Sequence, residues 1–304
     1  MFCLKYITLI YKNLLQKKLL RPKASIMTFF NLRSAFSAFI LVSIIPFFTY
    51  AQSVATGGSA SPLRAIYSFD YKLDSAVTTP KSERMILRIS NGMSCFQSKV
   101  KYMQDSIGAS LSYLPVQEKL NKEGPLWSKL GKTSIYYSIF KEPAKDLVFY
   151  HDGIGSEDHQ YQERAPLFHW KIMPEKKTIA GYECQQAFTV FGGRMFEAWF
   201  TRDIPVSEGP YKFHGLPGLI VKIRDTHDNY VFELLSFENN PKSFAISINS
   251  SAPLLKKSKF LQAKYNDDLT FLDRMASVGN QIPESMRNTY LAKLKRRNNP
   301  LELK

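Results

Sequence analysis

The residues able to move a proton, attack carbon or hold a metal gather in the middle of the chain. All five histidines, His151, His159, His169, His214 and His227, lie between residues 151 and 227. The densest group is His151-Asp152-Gly153-Ile154-Gly155-Ser156-Glu157-Asp158-His159, followed by Glu163. Imidazoles and carboxylates that converge bind transition metals. This spacing matches neither a C-x2-C pair nor H-E-x-x-H, and its glycines suit an exposed hairpin tip, so no metal site is expected. Ser156 lacks the second glycine of a nucleophile elbow. Glu163, Glu183 and Glu197 are the types of residue that supply general acid and base in sugar chemistry. Scattered along strands, however, carboxylates usually form the solvated face, and neither catalytic residues nor a cofactor are expected.

The elements that must position these groups are mainly strands. With 22 Phe and 16 Tyr, the chain is rich in residues that favour a half-buried pleated surface. Ala65, Tyr67, Phe69, Tyr71 and Leu73 alternate with Ile66, Ser68, Asp70 and Lys72, and Met85, Leu87 and Ile89 alternate with Arg84, Arg88 and Ser90. These two runs predict a hairpin around Ser75 to Pro80. Tyr102 to Lys122 breaks the alternation and reads as helix interrupted by Pro115. Strands resume at Ser134 to Phe140, Leu147 to Tyr150, Leu167 to Met173, Tyr182 to Phe191 and Arg194 to Phe200. Gly192-Gly193 is a two-residue hairpin signal. A further hairpin joins Leu219 to Arg224 with Tyr230 to Phe237. From Phe260, Leu261, Tyr265, Leu269, Leu272 and Ala276 recur at helical spacing, with Lys264, Asp267, Asp268 and Asp273 outside that stripe. Met286, Tyr290 and Leu294 continue a second stripe. The expected fold is mainly β: a curved antiparallel sheet or open barrel, bowl-like, with C-terminal α-helices packed on it.

Between Phe200 and Leu219 lies the stretch Gly209-Pro210-Tyr211-Lys212-Phe213-His214-Gly215-Leu216-Pro217-Gly218-Leu219-Ile220. Pro217 and Gly218 fit the second and third positions of a type II turn. Tyr211, Phe213 and Leu216 are expected in a core, and Lys212 and His214 have no paired acid or base nearby in sequence. The hinge spells GLPGLI, and with it the chain resembles the GLPGLI family of Bacteroidota envelope proteins, whose biochemical function is not established. The resemblance extends through Trp170, Gly181-Tyr182-Glu183-Cys184, Phe191-Gly192-Gly193-Arg194, Ala198 to Pro205, and Arg297-Asn298-Asn299-Pro300-Leu301-Glu302-Leu303. Trp170, Gly181, Gly193, Arg194, Gly215, Pro217 and Gly218 are its structural residues here. The family's sheet is similar to the bowl-like N-terminal domain of some glycan-releasing amidases, which implies an accessory domain without the catalytic part.

Charge and compartment bound the rest. The formal net charge is +15, but seven bases and no acid precede residue 52, and 11 bases face 5 acids from Pro253 onward. The basic excess therefore sits in a leader and a tail, not interleaved with stacking aromatics, and nucleic-acid binding is not expected. Residues 27–51 read as a signal peptide, with Arg33, an apolar run from Ala35 to Phe48 and Thr49-Tyr50-Ala51 before a cleavage site. Residues 1–26 read as an extension upstream of the natural start at Met27. After a flexible linker, 52–61, the expected organisation is a β-rich domain, 62–250, and a basic helical segment, 251–304. Export to the periplasm, outer membrane or exterior is expected, with no integral span after the signal is removed. In that compartment Cys95 and Cys184 are either bridged or separately buried. Tyr182, Trp199, Tyr211 and Phe213 are the candidate lining of a ligand site. The expected role is a non-catalytic envelope module binding a ligand or protein partner; the alternative is a hydrolase or accessory domain acting on envelope glycan or peptide.

Overall fold

Alternation in the first strand sets the inner face of the whole sheet. In the computed structural model, which describes residues 61–165, 168–242, 244–277 and 281–303, β1 (Leu63–Tyr71) buries every odd residue. The expected signal, extension, linker and the start of the strand foreseen at Leu167 lie outside the described residues. β1 pairs antiparallel with β2 (Lys81–Ser90), so that the expected hairpin forms. β2 is buried on both faces from Met85 to Arg88, because a helix, α1 (Lys99–Ser110), covers its outer side and that of β3 (Met93–Ser98). The Arg88 guanidinium lies over the Tyr102 ring of α1, 4.6 Å from its centroid. Pro115 precedes α2 (Val116–Ser128), where its missing N–H costs nothing.

The chain then runs back and forth through β4 (Ser138–Glu142), β5 (Leu147–Ile154), β6 (Glu157–Arg164), β7 (Lys171–Ile179), β8 (Tyr182–Phe191), β9 (Arg194–Thr201), β10 (Leu219–Asp225) and β11 (Tyr230–Asn239). All pairings are antiparallel, and the order is β6-β5-β4-β3-β2-β1-β11-β10-β9-β8-β7. The sheet is not closed. The β8–β9 hairpin turns on Gly192 and Gly193, whose φ values of 56° and 80° are those of a type I′ turn. Each edge is blunted. β7 carries Pro174 and Lys171, Lys176 and Lys177 beside an irregularity in its pairing, and β6 is covered where the Gln160 N–H donates to Pro253 O at 3.0 Å.

Two expectations about facing need correction: that Tyr182, Cys184, Phe188 and Val190 share one face of β8 opposite Glu183, Gln185 and Thr189, and that the Leu261 stripe of the first C-terminal helix meets the sheet. The inward residues of β8 near its end are Ala187 and Thr189, both buried, while Val190 is exposed; they pair with Ala198 and Phe196, which fixes the face. α3 (Lys257–Ser277) keeps only part of its foreseen stripe inside: Phe260 and Leu272 are buried and Leu261 lies at the cavity, but Tyr265 and Leu269 are exposed. Its sheet side instead carries Lys264, which pairs with Asp152 at 3.2 Å. Phe260 packs edge-on against Tyr150 and Tyr161, and polar neighbours complete the contact. α4 (Glu284–Lys295) lies against α3. No helix among the described residues is long and apolar enough to cross a membrane.

The hinge does more than join strands. The connection between β9 and β10 crosses the inner face and fills much of it: Phe213 is fully buried among Phe168, Phe191 and Phe196. From the far half of the sheet, Lys141 on β4 reaches it, donating to Gly209 O at 3.0 Å and Phe213 O at 3.2 Å and pairing with Glu208 at 2.5 Å. The sheet therefore curves round this loop. Its turn is not type II. The Gly218 N–H donates to Leu216 O at 2.8 Å, the two-residue span of a γ-turn about Pro217. Gly218 has φ 151°, and a Cβ there would lie 1.9 Å from Thr201 O, so glycine is required by the close approach to β9.

Candidate functional site

The space left inside the sheet beside the loop is a cavity of about 460 Å³ walled by tyrosines. Tyr71, Tyr137, Tyr150, Tyr161, Tyr211 and Tyr230 line it, six of the chain's 16. They come from β1, the approach to β4, β5, β6, the hinge and β11. Their rings are packed on one another: Tyr150 stacks on Tyr161 at 5.0 Å, and Tyr137 meets Tyr150 at 5.2 Å and Tyr211 at 6.0 Å. Such pairs contribute about 0.5–1.5 kcal/mol each beyond area burial. Tyr211 sits at φ 54°, a conformation that bulky residues rarely take, and its neighbours hold it there.

Four of the six hydroxyls have partners. Tyr71 donates to Glu83 at 3.0 Å, Tyr211 to Glu302 at 2.6 Å and Tyr230 to Asn299 O, while Tyr161 accepts from Lys212 at 3.4 Å. Among the described residues the Tyr137 and Tyr150 hydroxyls have none. Burial pushes all six phenols up, Tyr230 to about 12 and the others further. Each therefore stays protonated as a donor at neutral pH.

A strap formed by residues 298–303 closes one wall. Asn299 N–H donates to Leu73 O at 3.0 Å, its side chain to Lys72 O at 2.6 Å, and the Leu303 N–H to Gly192 O at 2.7 Å. Arg194 clamps the strap, donating to Asn299 Oδ1 at 2.5 Å and Pro300 O at 2.8 Å while paired with Asp225 at 3.1 Å. Beside the strap is a closed ring of four charges. Glu302 bridges Lys212 at 2.7 Å and Lys257 at 2.9 Å; Glu163 bridges the same two lysines, Lys257 at 3.0 Å. Burial alone would raise the Glu302 carboxyl, but the Lys212 charge and hydrogen bonds from Lys212, Lys257 and Tyr211 outweigh it and hold it below the usual range. The ring has no net charge.

Of the four aromatics singled out in the sequence, Tyr211 alone lines the cavity. Phe213 is core beneath it. Trp199 lies on the outer face of β9, donating to Glu197 at 2.6 Å with the Lys177 ammonium 3.8 Å from its ring centre. Tyr182 packs half-buried at the β7–β8 turn beside Gly181. Trp170 donates to His214 O at 2.8 Å next to Gly215, and His214 Nδ1 donates to Lys212 O at 2.9 Å. Lys212 is not unpaired, as its sequence neighbours suggested; its acids come from residues 49 and 90 positions away. The three glutamates do not converge. Glu163 is in the ring, Glu183 pairs at the surface with Lys176, and Glu197 joins Gln186, Trp199 and Arg224 on the outer face. His151 packs edge-on to Phe140 and His159 bonds to Glu157 O, and no group among the described residues is arranged to hold a metal. Cys95 and Cys184 are both free and buried, on strands with five others between them, so of the two alternatives the structure has them separately buried. Glu302, Lys257, Tyr137 and Tyr150 were not singled out in the sequence. The tail resemblance around Asn299 to Leu303 was the signal available for Glu302.

Residues 190–222, spanning the β8–β9 turn, Arg194 and the hinge, match a family described as "Protein of unknown function (Porph_ging)". No curated protein matches the chain. Two solved structures titled "Structure of PNGF-II in P21 space group" and "Structure of PNGF-II in C2 space group" are similar, each at 13% identity, with TM-scores of 0.49 and 0.48. Each similarity covers 69% of this chain and 34% of the other, so the chain spans about a third of the length of those proteins.

Proposed function

We propose that this chain is a GLPGLI family protein, exported to the cell envelope, that binds a ligand in the tyrosine-walled cavity and does no chemistry on it. The observation that carries this reading is the cavity itself, enclosed by sheet, hinge and strap, with the two charged side chains on its wall, Lys257 and Glu302, tied into a neutral ring. Clefts of this size lined by aromatics with a few placed polar groups are the usual form of a small-molecule site. A catalyst would present a base or nucleophile free to exchange a proton. The test is native mass spectrometry of the protein purified from an envelope fraction. An added mass that disappears on Tyr150→Trp, with the fold retained by circular dichroism, supports the reading, as does a mature chain starting at Gln52. A hydrolase acting on envelope glycan or peptide is favoured by one observation, the fully buried Lys212 between two carboxylates. Turnover of such substrates that is lost on Glu163→Gln establishes it instead.

A further inference from the structure

Resting on the binding reading, we infer that the ligand is an uncharged, mostly apolar or aromatic small molecule carrying at least one hydrogen-bond acceptor, received by the hydroxyls of Tyr137 and Tyr150. Three features of the wall select this class. The first is the pair of phenol hydroxyls without partners among the described residues, both on a cavity whose lining is otherwise largely ring and aliphatic surface. A pure hydrocarbon would leave those donors unsatisfied. A carbonyl or ether oxygen satisfies them. The second feature is the balance of the charge ring: two lysines are matched by two glutamates, each carboxylate already bridging both ammonium groups. An anion entering the cavity would lose its hydration and find no cation to replace it. The third is the small number of free polar groups. A sugar ring brings several hydroxyls that need partners, and two phenols cannot supply them. The flat faces of Tyr137, Tyr150 and Tyr211 instead offer stacking surface to a planar apolar body.

The experiment uses the full mature protein and three probes: benzophenone, a neutral aromatic ketone; 4-benzoylbenzoate, the same body with a carboxylate; and the disaccharide chitobiose. Isothermal titration should give saturable one-to-one binding of benzophenone. Binding of 4-benzoylbenzoate should be at least about tenfold weaker, the scale of one hydrogen bond or desolvated charge, and chitobiose should not bind. Irradiated benzophenone should label peptides containing Tyr137, Tyr150 or Tyr211. The double variant Tyr137→Phe/Tyr150→Phe, which keeps every ring, should weaken benzophenone about tenfold with an unchanged thermal melt. If the variant itself fails to fold, the photolabelled peptides and the ketone-to-carboxylate ratio in the unaltered protein decide. Equal or tighter binding of 4-benzoylbenzoate or chitobiose at the cavity overturns this inference and leaves the binding reading standing. Absence of binding by all three, or labelling away from the cavity, overturns the inference, and the native mass spectrum then decides the binding reading separately.

Discussion

Replacing Gly218 by alanine should be among the most damaging single changes in the molecule. The added Cβ would sit 1.9 Å from Thr201 O and 2.6 Å from its carbonyl carbon. Even a close carbon–oxygen contact needs about 3.3 Å, so the two chains must separate by more than 1 Å. That movement takes place where Leu219 pairs with Thr201 and where the Leu219 N–H donates to Ile204 O at 3.0 Å. Losing the alignment of one or two such bonds costs about 1 kcal/mol each. Holding a non-glycine residue at φ 151° adds about 1–3 kcal/mol, and the forced repacking of buried Leu219 and Ile220 a further 1–3 kcal/mol, roughly. The total, about 3–8 kcal/mol, is comparable with the whole stability of an ordinary domain. Gly181→Ala is the control: φ there is 85°, but nothing lies within 4 Å of the added methyl, so only the backbone cost of about 1–2 kcal/mol applies. Urea unfolding followed by tryptophan fluorescence compares the two. A Gly218→Ala midpoint no lower than that of Gly181→Ala would refute the argument that the hinge is specified by contact with β9.

Lys141→Met leaves Glu208 buried without its cation and should destabilise by about 3–5 kcal/mol, with much of the loss recovered in Lys141→Met/Glu208→Leu; urea midpoints of the three proteins measure it. Because the Glu302 carboxyl is held below its unfolded value, its contribution is present above about pH 4.3 and disappears as pH falls through the folded value. Protection of the Leu303 amide from hydrogen exchange should drop over that acid range, and Glu302→Gln should abolish the dependence. Cys184, pushed up to about 11 chiefly by burial, and Cys95, raised by the same cause, should resist a thiol reagent in native protein and react after denaturation without any reductant. A requirement for reductant would show a bridge.

Strands and turns were legible because their signals are local. Tyr67, Phe69 and Tyr71 declare an inner face by alternation, and Gly192-Gly193 declares a hairpin without reference to anything distant. The cavity was not, because its parts are assembled by curvature. Tyr150 read as an ordinary strand aromatic and Tyr161 lay in no foreseen strand, so neither pointed to a cavity until β5 and β6 are bent towards the hinge, and Trp199 looked like a ligand contact although alternation with Phe196 and Ala198 turns it outward. The outward part of the α3 stripe misled for the opposite reason. Helical spacing locates a stripe but says nothing of which stripe meets the sheet; there the contact is made by Phe260 and by Lys264 paired to Asp152. The Cys95–Cys184 question needed strand order, which pattern alone does not supply.

The strap has a consequence for the order in which the molecule comes together. Asn299 bonds to Lys72, 227 positions earlier, beside the turn of the first hairpin. Synthesis reaches residue 299 only after all eleven described strands have been made, so the cavity lacks a wall, and Lys212 and Lys257 lack Glu302, until residues 298–303 have been added. Contacts of such sequence separation form slowly. The emerging chain can therefore pair its strands early yet cannot hold a ligand until the strap docks, and ligand capture becomes a late event that reports on a finished fold.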